Sequence, residues 1–236
     1  MPLSSLKEYR DQFRKVWKKA RRAMDEGSIH DLRVASRRMA ASLLLAKSVL
    51  GEDRPSKVRR RIKRLMKKLG PLRDVQVQIQ LVKKWDPSES TQRFEETLKD
   101  IEQQERDRVR DYLSQNRKKN ILQELGDFQK DAAKRLKRIS PATLQAGIRS
   151  ALSAQRMDLE AARNAMAPSD ARSLHAVRRT ARKLRYCLEA AAEIVGAPPK
   201  SELGRLRRYQ TQLGNKRDLQ LLQVTFQEWQ QNGEFR

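Results

Sequence analysis

Residues 28–51, SIHDLRVASRRMAASLLLAKSVLG, have a counterpart further along the chain in residues 173–196, SLHAVRRTARKLRYCLEAAAEIVG. A shift of 145 positions superimposes the two segments and places His30 on His175, which are the two histidines of the chain. Several arginine and alanine positions coincide under the same shift. Self-similarity at a fixed spacing is typical of a duplicated structural unit. The sequence therefore predicts that one unit of the fold occurs twice.

Apolar residues in both segments recur at alternating spacings of three and four. Because each residue of an α-helix advances about 100° around the axis, this spacing gathers them on one core-facing side. That side consists of Ile29, Leu32, Ser36, Met39, Leu43, Ala46 and Leu50 in the first copy, and of Leu174, Val177, Ala181, Leu184, Leu188, Ala191 and Val195 in the second. No run of alternating apolar residues indicates a strand. The predicted fold class is all-α, with two pseudo-symmetric helical-bundle repeats.

A second shared motif extends the repeat. KLGPLRDVQV at residues 68–77 matches QLGNKRDLQLL at residues 212–222 after a shift of 144. We predict a single domain over residues 1–236, made of a first repeat over 5–86, connecting helices over 87–140 and a second repeat over 141–232.

The sequence also predicts where individual helices begin and end. Ser28 followed by Asp31 resembles a capping box, so a helix is predicted to start there. Gly70, which precedes a proline, predicts the end of a helix. Gly214 predicts a break at the equivalent place in the second repeat.

Basic side chains border the core-facing side of each repeated helix rather than oppose it. They are His30, Arg33 and Arg37 in the first copy and His175, Arg178, Arg182 and Arg185 in the second, and the next helix of each repeat preserves a pair, Arg61 with Arg64 and Arg205 with Arg208. A guanidinium can hold two phosphate oxygens at once and stays charged. These positions therefore predict a groove between the repeats that binds phosphates. Ion pairs within the bundle are the alternative for the arginines, and structural hydrogen bonds are the alternative for the histidines.

Other residues are predicted to have structural roles. Asp74 and Asp218 are expected to orient a nearby arginine or histidine, or to cap a helix. Trp85 and Trp229 are expected to anchor the core, and Cys187 to be a small buried residue. Cations expected on solvated faces include Lys15, Lys18, Lys19 and Arg59.

Composition restricts the function classes. The 236 residues include 53 Lys and Arg against 29 Asp and Glu, which gives a formal net charge of +24. Such a charge favours polyanions: nucleic acid, an acidic membrane or a phosphate polymer. One cysteine and two histidines allow neither an intrachain disulfide nor a structural zinc site. With no apolar run near the roughly 20 residues that span a bilayer, and no signal-peptide pattern, we expect a cytoplasmic protein without membrane contact.

These motifs resemble the CHAD domain, the conserved histidine α-helical domain. The family pattern is a helix beginning His-x-x-Arg-x-x-x-Arg-Arg/Lys and a later Leu-Gly-x-x-Arg-Asp, both present twice. Here the copies are IHDLRVASRRMAASLLL with KLGPLRDVQV, and LHAVRRTARKLRYCLEAA with QLGNKRDLQLL. The resemblance covers nearly the full chain. It implies two pseudo-symmetric four-helix bundles with a basic surface or pore between them that binds inorganic polyphosphate, and an association with polyphosphate granules.

The resemblance also implies which residues contact polyphosphate. They are His30, Arg33, Arg37, Arg38, His175, Arg178, Arg182 and Lys183, to which the preserved register adds Arg61, Arg64, Arg205 and Arg208. Arg185 is added in the second copy only, where the first copy has Ala40. The first copy is therefore expected to bind less tightly.

The sequence favours a non-enzyme. The triphosphate-tunnel (CYTH) domain found fused to some family members needs a β-barrel and a Glu-x-Glu-x-Lys motif, and neither is found here. No Gly-rich nucleotide loop is present, and the acidic residues form no cluster in sequence that would hold Mg²⁺. The predicted function is non-catalytic binding of inorganic polyphosphate with no cofactor, and the sequence leaves the oligomeric state open. The alternative is sequence-nonspecific binding of nucleic acid, which the charge permits at low salt, although aromatic residues make up only 5% and give little stacking surface.

Overall fold

The computed structural model describes residues 2–51, 54–115, 117–167 and 170–231. Within these ranges the chain forms nine α-helices and no strand, and the prediction of an all-α fold is confirmed. The helices are α1 (Pro2–Ala23), α2 (Glu26–Leu50), α3 (Arg54–Lys68), α4 (Gly70–Val82), α5 (Glu89–Ser114), α6 (Arg117–Leu136), α7 (Pro141–Asn164), α8 (Ala171–Val195) and α9 (Lys200–Gln231).

The larger of two hydrophobic cores lies among α1 to α6. Its largest fully buried side chains are Phe13, Trp17, Phe94 and Phe128. Two of these come from α5 and α6, the helices within the stretch predicted as connecting. These helices are therefore part of the core and do more than link the two repeats.

The smaller core lies among α7, α8 and the first half of α9. Val177, Ala181 and Leu206 are buried in it, together with Ala41 and Leu45 from α2. Since α2 also contributes to the larger core and packs directly against α8, the two histidine-bearing helices lie side by side at the centre of the molecule. The two halves are unequal, because only the first has a helix pair like α5 and α6.

The predicted start of α2 is three residues too late. The N-cap is Asp25, whose extended backbone lets its carboxylate accept from the Ser28 backbone N–H at 2.6 Å. Ser28 lies inside the helix, and its hydroxyl donates back to the Asp25 carbonyl at 3.0 Å. The second repeat begins in the same way, with Asp170 accepting from the Ser173 N–H at 3.0 Å. Aspartate is a strong N-cap residue, so the Ser28/Asp31 capping box is corrected to an aspartate cap.

The predicted break at Gly214 is also wrong. α3 and α4 do separate at Leu69, just before Gly70 and Pro71. α9 instead runs through Gly214 without interruption from residue 200 to 231. Proline lacks the backbone N–H that a helix interior needs, whereas Asn215 in the equivalent place keeps it.

The C-terminal half of α9 is held in the larger core by aromatic residues. Trp229 is 4% exposed, its ring centroid lies 5.3 Å from that of Phe94, and its indole N–H donates to the Thr97 hydroxyl at 3.2 Å. Trp85 packs 6.3 Å from Phe94, so both tryptophans are confirmed as core anchors. Cys187 is confirmed as buried. Because α9 joins both cores, it fixes the second repeat against the first.

Candidate anion-binding site

Two open pockets flank the contact between α2 and α8. The first, which we call the polar chamber, has a volume of about 380 Å³ and lies between α2, α8 and α9. The second, the apolar-floored chamber, has a volume of about 660 Å³ and extends between α2, α3, α7 and α8. Arg37, Arg182 and Tyr186 line both. The two repeats therefore meet at a pair of arginines that faces solvent-filled space on either side.

The polar chamber concentrates positive charge. Its six basic lining residues are His30, Arg37, Arg38, Arg178, Arg182 and Arg185, and no acidic residue of the described chain lines it. No hydrogen bond or ion pair to another described residue engages Arg37 or Arg182. These two guanidinium groups are consequently available to an anion that enters from either chamber.

Burial and mutual repulsion make the arginine charges costly. Burial, followed by the neighbouring Arg37 and Arg178, lowers the pKa of Arg182 to about 9. Burial and Arg37 similarly lower the pKa of Arg33 to about 10. Both shifts show that the protonated guanidinium is disfavoured here. A bound polyanion would offset this effect by supplying the missing negative charge.

Both histidines are poised to be neutral near pH 7. Burial, and then Arg73, lowers the pKa of His30 below its usual 6.5. Burial, and then Arg217, does the same to the pKa of His175. A neutral imidazole has one donor and one acceptor nitrogen. Each histidine can therefore donate one hydrogen bond to a phosphate oxygen without protonation.

The two repeated motifs meet inside each repeat. Arg33 passes over Gly70, with its Nη1 3.9 Å from where a Cβ would lie, and donates to the Met66 carbonyl at 3.2 Å. In the second repeat, Arg178 Nε lies 3.5 Å from the equivalent point on Gly214. A Cβ at either glycine would already be in van der Waals contact with the arginine, so a side chain that extends beyond Cβ would compete with the arginine for this space. The Leu-Gly motif and the His-x-x-Arg motif are therefore one structural arrangement.

Carboxylates hold a further pair of arginines. Arg217 donates to Asp74 at 3.2 Å and to Asp218 at 3.3 Å, which confirms the prediction that these aspartates orient an arginine. The alternative, helix capping, does not apply to Asp74, since α4 begins at Gly70. Arg73 of the first repeat pairs instead with Glu26 at 2.7 Å.

The remaining predicted site residues fall into three groups. Arg38 and Arg185 reach the polar chamber, where Arg38 donates to Gln12 at 3.4 Å. Arg185 donates to Gln210 at 3.1 Å and forms an ion pair with Glu189 at 2.8 Å. Lys183 lines the apolar-floored chamber and pairs with Asp158 at 3.1 Å. The cations away from both chambers are Arg61, which pairs with Glu124 at 2.9 Å, and the surface residues Arg64, Arg205 and Arg208. The structure therefore does not bring these four together with the rest.

Sequence reasoning missed other cations of the site. Arg59, expected on a solvated face, instead lines the apolar-floored chamber with Lys63 and Arg179, and its Nε is fully buried. The spacing from Arg59 to Lys63 places both on one face of α3, but the sequence does not show that this face points toward α8. Arg217 could have been found from the sequence, because the Leu-Gly-x-x-Arg-Asp motif repeats it.

Two searches of the described residues complete the survey. None of the helices in those ranges is both long and apolar enough to cross a membrane. No three or more His, Cys, Asp or Glu side chains in those ranges gather as candidate metal ligands.

Fold and site together define an all-α domain with a duplicated histidine- and arginine-bearing helix. The sequence profile of the CHAD domain matches residues 4–227, and the chain therefore belongs to the CHAD domain family. A crystal structure of the CHAD domain from the plant Ricinus communis is similar to this chain, with a TM-score of 0.80, 22% sequence identity, and coverage of 98% of this chain and 80% of that one. At this identity the likeness supports the fold alone. The search of curated proteins found no match.

Proposed function

We propose that this protein binds inorganic polyphosphate without catalysing a reaction on it. The CHAD domain family is known to bind polyphosphate in general. The observation that carries the proposal for this chain is the polar chamber, which six basic residues and no acidic residue of the described chain line, and in which Arg37 and Arg182 have no ion-pair partner among the described residues. In this proposal Arg37 and Arg182 make the central contacts with the polyphosphate chain.

We expect the affinity to depend on the negative charge of the ligand and not on a sequence of chemical groups along it. Each arginine can hold two phosphate oxygens, and each neutralised phosphate releases a counterion to solvent. If single-stranded nucleic acid is a fair guide, log affinity falls by about 0.7 per phosphate for each tenfold rise in salt. Polyphosphate is a flexible chain with no bases, so it can adapt to the arginines that line both chambers.

A non-catalytic role agrees with the donor chemistry of the site. Mg²⁺ prefers carboxylate oxygens, and the carboxylates near the two chambers are engaged by cations: Asp74 and Asp218 by Arg217, Glu189 by Arg185, and Asp158 by Lys183. The residues that line the polar chamber bear hydroxyl, amide and cationic groups instead. This donor set suits retention of a polyanion. In this proposal the protein acts in the cytoplasm, in association with polyphosphate granules.

A competition experiment tests the proposal. Labelled long-chain polyphosphate is bound at near-physiological salt, and unlabelled DNA, RNA or polyphosphate is titrated in. We expect nucleic acids to displace the label only at a large excess of charge. Equal competition per phosphate would favour the alternative, sequence-nonspecific binding of nucleic acid, since net charge would then explain binding.

A matched pair of double variants distinguishes binding in the chambers from attraction by the overall positive charge of the protein. Arg37→Gln/Arg182→Gln removes two positive charges from the chambers, and Arg21→Gln/Arg22→Gln removes two from exposed positions at the end of α1. A charge-assisted hydrogen bond contributes about 1.5–3 kcal/mol, so the first variant is expected to bind polyphosphate at least about 100-fold more weakly. The second should change affinity by only a few-fold. Equal effects in the two variants would contradict the proposal.

A further inference from the structure

The first helical residue of the duplicated helix differs between the repeats. α2 begins with Glu26 after its Asp25 cap, and α8 begins with Ala171 after its Asp170 cap. In the first repeat the Glu26 carboxylate accepts from Arg73 at 2.7 Å. In the second repeat Ala171 stands at that place, and the equivalent Arg217 donates to Asp74 at 3.2 Å and to Asp218 at 3.3 Å instead. The first repeat therefore has a carboxylate at the start of its duplicated helix, and the second repeat has none there.

Two more differences open the second repeat to solvent. The fully buried Leu72 of the first repeat corresponds to the exposed Lys216 of the second. In addition, α5 covers the first repeat, where Gln76 donates to Glu102 at 3.1 Å, whereas the equivalent Gln220 is exposed. The region beside the start of the duplicated helix is thus covered in the first repeat and accessible to solvent in the second.

A pocket of about 150 Å³ occupies that accessible place. We call it the His175 pocket; its lining includes His175, Arg178, Lys216 and Arg217, and no acidic residue of the described chain lines it. This volume is sufficient for one phosphate group.

We propose that the His175 pocket binds a single phosphate group carrying two negative charges, supplied by free orthophosphate or by the end of a polyphosphate chain. Glu26 fills the corresponding place in the first repeat, so the two repeats are not equivalent. Internal phosphates of a chain carry only one negative charge each, and the clustered cations favour the terminal group. The chain-end form of the inference rests on the proposed function.

The two histidines provide a site-resolved test. NMR of the imidazole Cε1–H groups gives one resonance per repeat, assigned with His30→Gln, while orthophosphate is titrated into the full chain. We expect the His175 resonance to shift saturably in the millimolar range. Ala171→Glu, which installs the carboxylate of the first repeat, should weaken that response about tenfold or more, as expected for loss of a charge-assisted hydrogen bond.

The matched control is Ala154→Glu, which adds the same charge at an exposed position on α7. It should leave the phosphate affinity reported by His175 within about twofold, because a distant surface charge is screened. An acidic residue in the first turn of a helix is favourable, so Ala171→Glu should fold. Equal weakening by the two variants, or no saturable response of His175 in the natural chain, would overturn the inference.

Tripolyphosphate and cyclic trimetaphosphate distinguish the two phosphate sources. Tripolyphosphate has terminal groups and the cyclic form has none, so only the former should shift His175 as orthophosphate does. An equal response to the cyclic form would overturn end-group recognition. Long-chain polyphosphate binding is measured on the same samples. If it persists without a His175 response, this inference alone fails; if it is absent while orthophosphate still shifts His175, the proposed function fails and the orthophosphate site stands.

Discussion

Replacing Arg182 with methionine is expected to stabilise the free protein and to weaken its binding of polyphosphate. Methionine keeps an unbranched side chain that can fill the same space, but it removes a buried positive charge. Burial and neighbouring cations lower the pKa of Arg182 to about 9; at about 1.4 kcal/mol per pKa unit, this lowering sets a ceiling of about 5 kcal/mol on the cost of that charge. Solvent in both chambers screens the charge, so we expect a gain of about 1–2 kcal/mol in the free energy of unfolding.

Denaturation with and without polyphosphate measures both effects. At about 2–4 °C per kcal/mol for a chain of this size, the Tm of Arg182→Met should exceed that of the natural chain in the absence of ligand. Polyphosphate at 100 times its Kd should stabilise the natural chain by about 2.7 kcal/mol and the variant by less, so that the stability advantage of the variant shrinks or reverses. Arg21→Met, at an exposed position, serves as the control and should show neither effect. A variant that is less stable than the natural chain, or that keeps its ligand-induced stabilisation, would refute the reasoning.

Two further predictions concern pH and packing. Because the folded-state pKa values of His30 and His175 lie below 6.5, the unfolded chain binds protons more readily, and the free energy of unfolding should fall as pH drops through about 6.5. Bound phosphate raises the pKa values of both histidines, so polyphosphate affinity should rise as the pH falls over the same range. The increase is up to about tenfold for each unit by which binding raises the pKa of one histidine. Titration calorimetry at several pH values checks this, and a pH-independent affinity between pH 5 and 8 would contradict it. Gly214→Leu should displace the guanidinium of Arg178, which lies 3.5 Å from the Cβ position, whereas Gly204→Leu on the same helix meets nothing within 4 Å. We expect a tenfold or greater loss of affinity in the first variant alone, with helicity retained in both by circular dichroism; equal affinities would show that Arg178 does not need this space.

The central residues of the site could be predicted from the sequence because each of them recurs at the equivalent position of the second repeat. His30 and Arg37 could be linked with His175 and Arg182 from spacing alone, and helical geometry then placed them at the edge of the core. The fold class followed from the same periodicity. What periodicity does not contain is the rotation of α3 about its axis against α8. That rotation depends on tertiary packing, and it brings Arg59 into the apolar-floored chamber.

Local details were missed for two physical reasons. Aspartate and serine compete as N-caps, and the backbone conformation at Asp25, which favoured the former, is not visible in a motif. The unbroken course of α9 through Gly214 depends on the contacts made by its far end, because Trp229 and the aromatic residues around it hold the helix in the larger core. A glycine is a weak helix breaker when such packing favours the helix.

The unbroken α9 makes the duplicated halves inseparable as folding units. Leu206 near its start is buried in the smaller core, and Trp229 near its end is buried in the larger one. A cut in the middle of this helix would separate Leu222 and Trp229 from the rest of the chain, and thus remove part of the lining of the larger core. The two sequence repeats therefore cannot be separated without exposing apolar surface. The chain is therefore expected to unfold as one cooperative body, and its two histidine-bearing helices to keep a fixed separation while folded.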